Sequence, residues 1–175
     1  ALSIGVFLVF LTSSPSLQDL DVPTTSAVRG AEEQLQHKYP NLGTDLAEHN
    51  FSTVRGYLKP AESEGPVDEQ LMEYCILAQV QIYSAESTTL GMSVYNETLL
   101  NDAVESCNRT LELIADNGED IDPHVASQYK EYALFYMATA QHLLGNDAEA
   151  TKNLNALIKL DGDLETAGRK LLDRL

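Results

Sequence analysis

Basic residues are scarce in this chain of 175 residues, where 11 lysines and arginines stand against 27 aspartates and glutamates, for a net charge of −16. A surface this acidic repels phosphate backbones, so no nucleic acid is expected among the partners. It also disfavours contact with anionic lipid headgroups. Because 43% of the residues are hydrophobic, the chain can still bury one core, and wholesale disorder is not expected.

Patterns that carry chemistry are also missing. Two cysteines without a CxxC pair provide neither a disulfide scaffold nor a zinc site. The four histidines lack metal-binding spacing, and no HExxH, GxSxG, Walker or GxGxxG motif occurs. The acidic stretch 116–122 misses the calcium-loop spacing because Gly118 stands where an oxygen ligand should be. A helix end followed by a capped helix start explains that stretch, so we expect no catalytic residues, metal, cofactor or enzyme activity.

Only one long apolar run is present, at residues 1–11, and a helix that spans a bilayer needs about 20 such residues. It is interpreted as a partial membrane anchor or a signal remnant, with an ordinary buried helix or strand as the alternative. Three segments result. They are the apolar segment 1–12, a linker or extended arm at 13–25 that holds Pro15 and Pro23, and a helical domain at 26–175.

The helical domain shows apolar residues at three- and four-residue spacing, and no convincing strand. The class predicted is all-α, with antiparallel helical hairpins. Caps and breakers place the helices at Ser26 to Pro40, from Thr44 through Ala47, Phe51 to Leu58, Pro66 to Tyr83, Leu99 to Ala115, Asp122 to Leu144, Asp147 to Leu160, and a last helix to Leu175.

An internal repeat is visible in the helices. Tyr74-x-x-Leu-Ala-x-x-Gln81 aligns with Leu134-x-x-Met-Ala-x-x-Gln141, and the helix around Ala103 aligns with the one around Ala150. This pattern resembles the tetratricopeptide repeat, a helix-turn-helix unit of about 34 residues, and looks most like its membrane-anchored type. The resemblance implies a short right-handed superhelix with a C-terminal capping helix. It departs from the family in the middle copy, whose inter-helix connection, 85–98, is too long.

In that family the first helix of each hairpin lines a concave groove that binds a partner segment. The resemblance therefore implies a groove of aromatic and aliphatic side chains with almost no charge. It suits an apolar helix or extended segment, including the chain's own N-terminal arm, and packing against a neighbouring loop is the alternative. The groove residues are Met72, Cys75, Gln79, Ile82, Tyr83, Tyr132, Phe135, Thr139, His142 and Leu143.

In the same register Cys75 faces the groove and Cys107 faces the hairpin interior, so two free thiols are expected rather than a disulfide. Three glycosylation sequons begin at Asn50, Asn96 and Asn108 and favour a secretory route if the source is eukaryotic. The expected location is membrane-associated, with the helical domain outside the cytoplasm or in a lumen; the cytoplasmic face is the alternative.

These expectations favour a non-enzymatic protein-interaction adaptor or scaffold, tethered to a membrane, that assists assembly or stability of a larger complex. Its acidic body would be steered toward a basic partner surface. The alternative is a permanently bound peripheral accessory subunit of a membrane protein complex, whose N-terminal arm inserts into its neighbours. A metal-binding or enzymatic module built on acidic loops is the third hypothesis.

Overall fold

A computed structural model describes residues 15–17, 20, 22, 35–60, 65–89 and 92–175. Within these ranges the chain forms seven α-helices and one two-stranded antiparallel sheet. The predicted all-α class is therefore confirmed, with one small sheet added. The elements are α1 (Leu42–Ala47), α2 (Phe51–Tyr57), α3 (Val67–Ala85), β1 (Glu86–Thr89), β2 (Met92–Tyr95), α4 (Glu97–Asp116), α5 (Pro123–Leu143), α6 (Asp147–Ile158) and α7 (Glu165–Leu172).

The helices pack mainly on their neighbours in sequence. Helix α3 contacts α4, α4 contacts α5, α5 contacts α6, and α6 contacts α7, while α3 also contacts α5. Only residues 144–146 link α5 to α6, and Gly145 there has a φ of 78°, a left-handed conformation that glycine adopts without strain. So short a connection turns the chain back on itself and places the two helices side by side.

Burial differs between the helices in a way that their contacts explain. Helices α3 and α5 are buried on several sides, and every residue of 131–140 in α5 is buried. Helix α4 is instead buried along one stripe, with Leu100, Ala103, Cys107 and Thr110 at helical spacing. Two inner helices are thus covered by neighbours, whereas α4 keeps an exposed face.

The predicted capped restart before α5 is confirmed. Asp122 Oδ1 accepts hydrogen bonds from the backbone N–H groups of His124 (2.8 Å) and Val125 (3.3 Å). Pro123 occupies the first turn, where its missing N–H costs nothing. The predicted cap at Thr44 is wrong, because α1 begins two residues earlier at Leu42 and Asn41 precedes it.

The N-terminal arm belongs to the folded body at the residues described. Leu17, Leu20 and Val22 are buried in the same core as the helices. The predicted apolar segment 1–12 and most of the helix predicted from Ser26 lie outside the described residues. Leu35 is fully buried at the start of the next described range.

The connection 85–98 contains a β-hairpin that the sequence analysis did not predict. Strands β1 and β2 pair in register, from Glu86 opposite Tyr95 to Thr89 opposite Met92. Neither strand contains a fully buried residue, so the strands lack the alternation of buried apolar and exposed residues by which a strand is recognised. Their β-branched and aromatic residues, Thr88, Thr89, Val94 and Tyr95, fit a strand all the same.

Candidate functional site

The side chains predicted to line the groove lie mostly inside the helical body. Seven of them are at most 4% exposed and pack in the core or against it. These are Met72, Cys75, Gln79, Ile82, Tyr132, Phe135 and Thr139. Their burial agrees with the alternative of packing against the chain's own segments, and their role in partner binding stays a prediction. Tyr83, His142 and Leu143 are half-buried and remain accessible in part.

Cys75 illustrates why this face is closed. Its Sγ lies 3.9 Å from the Thr110 hydroxyl of α4 and 4.0 Å from the Tyr129 carbonyl oxygen of α5. Cys75, which the resemblance places on the groove face, is thus covered by α4 and α5 within the chain. Both cysteines are free, as expected, and both are buried. Burial raises the pKa of the Cys75 thiol to about 12 and also raises the pKa of Cys107, so neither supplies a thiolate at neutral pH.

The accessible end of the predicted groove is occupied by the chain's own arm. The Tyr83 hydroxyl donates a hydrogen bond to the Val22 carbonyl oxygen at 3.1 Å. The Tyr83 ring also stacks on Phe51, with ring centroids 4.9 Å apart. Val22 of the chain's own arm therefore lies where either a partner or this arm was expected.

An open concavity in the described part of the chain lies elsewhere. It is a cavity of about 770 Å³ between the end of α2, helix α3 and the exposed face of α4. We call it the α2–α4 cavity. A volume of this order is typical of sites that bind ligands or side chains of a partner. Its lining residues are Leu58, Lys59, Pro60, Tyr74, Leu77, Gln81, Asp102, Glu105, Ser106, Asn108, Arg109 and Glu112.

The α2–α4 cavity combines an apolar side with a charged rim. Leu58, Pro60 and Leu77 supply the apolar side, and the buried Ser106 hydroxyl donates to Gln81 Oε1 at 2.9 Å in its wall. The rim holds three carboxylates against two cations. Of the cations, Arg109 already pairs with Glu112 at 3.0 Å. The rim therefore presents a net charge of −1, because Asp102 and Glu105 stand against Lys59.

The hydrogen bonds of Arg109 hold the rim in place. Its hydrogen bond to Glu112, and then that to Tyr74, hold the pKa of the Arg109 guanidinium above its ordinary value. The α4 residue Arg109 is thereby joined to the α3 residue Tyr74 across the cavity. Sequence reasoning missed this site, because α2 and α4 are more than forty residues apart in the chain and no local pattern brings them together.

The remaining candidate chemistry does not assemble into a reactive site in the described ranges. His142 Nδ1 lies 2.8 Å from Asp147 Oδ1 across the turn between α5 and α6, and His37 Nε2 lies 3.9 Å from Glu69 Oε1. Within these ranges no group of three or more histidine, cysteine or acidic side chains is placed to hold a metal ion. The described histidine contacts join elements of the fold rather than activating a nucleophile.

Comparisons with protein-family models, with curated proteins and with solved structures give no match for this chain. The likeness to tetratricopeptide repeats therefore depends on the residues of this sequence alone. None of the helices in the described ranges has the length and apolar content needed to cross a bilayer.

Proposed function

We propose that this chain is a non-enzymatic adaptor, tethered to a membrane by its N-terminal region, whose helical body binds a basic amphipathic segment of a partner protein. The observation that carries the proposal is the α2–α4 cavity, which is open, apolar on one side and acidic at its rim. The second feature is the net charge of −16, which steers positively charged partners toward the body.

The arrangement of the helices supports a tetratricopeptide-like scaffold for this role. In such a scaffold each helix packs on the next, and first helices of successive hairpins also touch, as α3 and α5 do here. The alanines aligned by the internal repeat, Ala78, Ala103, Ala138 and Ala150, are all completely buried. Small residues at these points let helix axes approach closely.

The chemistry of the α2–α4 cavity suits one face of a short helix or extended segment. Leucine-like side chains of a partner would cover the half-buried Leu77 and Tyr74, and lysines or arginines beside them would meet Asp102 and Glu105. Such charge complementarity raises the rate of association and selects among partners, while the apolar side supplies most of the affinity.

The packing of the arm favours the adaptor over a permanently bound subunit. An arm that serves by inserting into neighbouring subunits would expose apolar residues when the chain is alone. Here Leu17 and Leu20 are only 2% and 4% exposed within the chain itself. Leu17 and Leu20 are therefore buried by the chain's own helices, without a partner subunit, and this supports the adaptor.

A direct test uses the full chain and a synthetic amphipathic peptide of lysine and leucine, with binding followed by fluorescence anisotropy. Replacing both Asp102→Lys and Glu105→Lys is expected to weaken binding by about tenfold. The matched control, Glu119→Lys with Asp120→Lys, changes the net charge equally at exposed positions outside the cavity. Equal weakening by both pairs would mean that the peptide responds only to overall charge, and the cavity would lose its assigned role.

A second experiment separates the adaptor from the permanent subunit. The tagged chain is recovered from gently solubilised membranes of its source, before and after washes at high salt and at alkaline pH. Sub-stoichiometric partners that are lost in salt are expected of the adaptor. Stoichiometric partners that survive both washes would identify a resident subunit instead. Recovery in the soluble fraction without any partner would contradict both.

A further inference from the structure

The β-hairpin formed by β1 and β2 differs in charge from the rest of this acidic surface. Residues 87–96 carry no charged side chain in a chain of net charge −16. Within the described ranges, Val94 on β2 is the one large apolar side chain that is exposed, at 47%. Ser87, Thr88 and Thr89 on β1 are exposed as well. The hairpin is thus an uncharged, partly apolar projection from an acidic body.

The charge of Glu86, the first residue of β1, is turned toward β2 and the N-terminal arm. Glu86 Oε1 accepts a hydrogen bond from the Ser93 hydroxyl at 2.8 Å and lies 3.4 Å from the Tyr95 hydroxyl oxygen. The backbone N–H of Leu17 donates to the same oxygen at 3.4 Å. The carboxylate therefore links the two strands to the N-terminal arm, and the hairpin has a fixed attachment to the body.

The N-terminal arm brings a second uncharged segment to the same place. The Tyr95 hydroxyl donates to the Pro15 carbonyl oxygen at 2.6 Å. Residues 1–18 carry no charge, and the apolar run 1–11 is separated from Pro15 by residues 12–14. An uncharged stretch of the chain therefore meets the base of the hairpin at Pro15.

We propose that the hairpin is a lipid-contacting surface, which touches the uncharged headgroup layer of a membrane. This inference rests on the proposed membrane tether and adds an orientation to it. A body rich in carboxylates is repelled by anionic headgroups, so the part of its surface without charge is the part that approaches a bilayer at least electrostatic cost. Val94 adds apolar area at that contact, and the hydroxyl side chains of β1 suit the headgroup region.

The test exploits the absence of tryptophan from this sequence. In the full chain, Val94→Trp introduces a single tryptophan, which can be excited apart from the tyrosines, at an exposed strand position where an aromatic residue is well tolerated. The matched control is Ala148→Trp, at an exposed position of α6. Both variants are mixed with vesicles of phosphatidylcholine, and binding is measured separately by sedimentation.

With vesicles, the emission of the Val94→Trp variant is expected to shift to shorter wavelength and to be quenched by lipid-borne nitroxides, while the Ala148→Trp variant shows neither effect. Sedimentation of both variants without a shift at position 94 would overturn the lipid contact and leave the tether standing. Failure of either variant to sediment would overturn the tether and the contact together. If the emission of the Val94→Trp variant shifts in the absence of lipid, and the shift increases with protein concentration, the hairpin contacts a second copy of the chain instead.

Val94→Asp provides an independent measurement, because a new charge at the contact is expected to lower the fraction of protein bound to vesicles. Ala148→Asp has the same net charge and serves as its control. Equal bound fractions for the two variants would again overturn the lipid contact. If Val94→Asp disturbs the fold, circular dichroism will detect it, and the tryptophan pair still decides the question.

Discussion

Glu73 is a carboxylate at the centre of the fold, with no exposed surface. Its Oε1 accepts hydrogen bonds from Lys38 Nζ at 2.5 Å and from the Tyr39 hydroxyl at 3.2 Å. Its Oε2 has no hydrogen-bond partner in the described structure. Burial works against the charge of Lys38, yet the hydrogen bond and charge of Glu73 hold the pKa of Lys38 above its ordinary value. The pair therefore joins the segment before α1 to the inner helix α3.

Removing the cation from this pair is expected to be costly. Lys38→Met leaves the Glu73 charge buried without its cation and should lower the free energy of unfolding by about 2 kcal/mol. This loss is smaller than that expected for a fully buried ion pair, because Lys38 is partly exposed. Adding Glu73→Gln should recover much of the loss. Urea denaturation measures both variants. Lys152→Met, whose partner Glu149 is exposed, is the control and should change stability by less than about 0.5 kcal/mol.

The two cysteines give a second prediction at the same scale. Burial raises the pKa of Cys75 from 9.0 to about 12, so the folded state holds this proton more tightly than the unfolded state. The stability that this provides is complete below about pH 9 and is lost as the pH rises toward 12. We expect iodoacetamide at pH 8.5 to leave both thiols of the native protein unmodified, and to modify both in urea. Rapid modification of either thiol in the native state would contradict the burial of this pair.

At the scale of elements, α7 is held by a carboxylate from α5. Glu131 is 6% exposed, and its Oε2 accepts the backbone N–H of Leu164, just before α7, at 2.9 Å. Gly162 lies against the same carboxylate, and a Cβ built there would collide with it. The last helix is therefore positioned by a close approach that only glycine permits, in addition to the burial of Leu171.

Gly162→Ala should consequently displace Glu131 and loosen α7, lowering the free energy of unfolding by about 1–3 kcal/mol. The matched control is Gly56→Ala in α2, where a Cβ would meet nothing within 4 Å. That change should stabilise the protein by up to about 1 kcal/mol, because alanine favours a helix over glycine. Hydrogen exchange at the amides of α7 would localise the effect. A Gly162→Ala variant as stable as the wild type would show that the carboxylate can move without cost.

The elements differ in how well sequence predicts them. Helix α3 was expected from Pro66 to Tyr83 and runs from Val67 to Ala85, because its apolar residues follow a helical period and Pro66 marks its start. The hairpin went unpredicted because neither of its strands has a buried face, so its sequence shows no apolar alternation. The period of apolar residues in a sequence indicates which side of an element is buried. An element without a buried side therefore shows no clear period.

At the scale of the whole molecule, the sequence predicted that α3 and α5 carry apolar faces. It did not predict which parts of the chain cover those faces. Cys75 is covered by Thr110 and Tyr129, which stand 35 and 54 residues away in the chain. Tyr83 is covered by Val22, which lies 61 residues before it. An apolar helical face that binds a partner and one that packs on its own chain have the same local pattern. The α2–α4 cavity was not predicted either, because the residues that line it are also far apart in the chain.

The packed arm provides the last prediction, which concerns the molecule as a unit. Leu17 is 2% exposed and belongs to the same core as α3 to α7. Leu17→Ala should therefore lower the free energy of unfolding of the isolated full chain by about 2–3 kcal/mol. Val94→Ala, at an exposed apolar position, is the control and should change it by less than about 0.5 kcal/mol.

The outcome bears on function as well as stability. If the arm completes the core of its own chain, the loss appears in the purified protein, in one cooperative urea transition shared by all probes. If the arm instead serves to insert into a neighbouring subunit, Leu17→Ala leaves the isolated chain unchanged and weakens only the assembled complex. An unchanged midpoint in urea would thus contradict the self-contained adaptor and favour the permanently bound subunit.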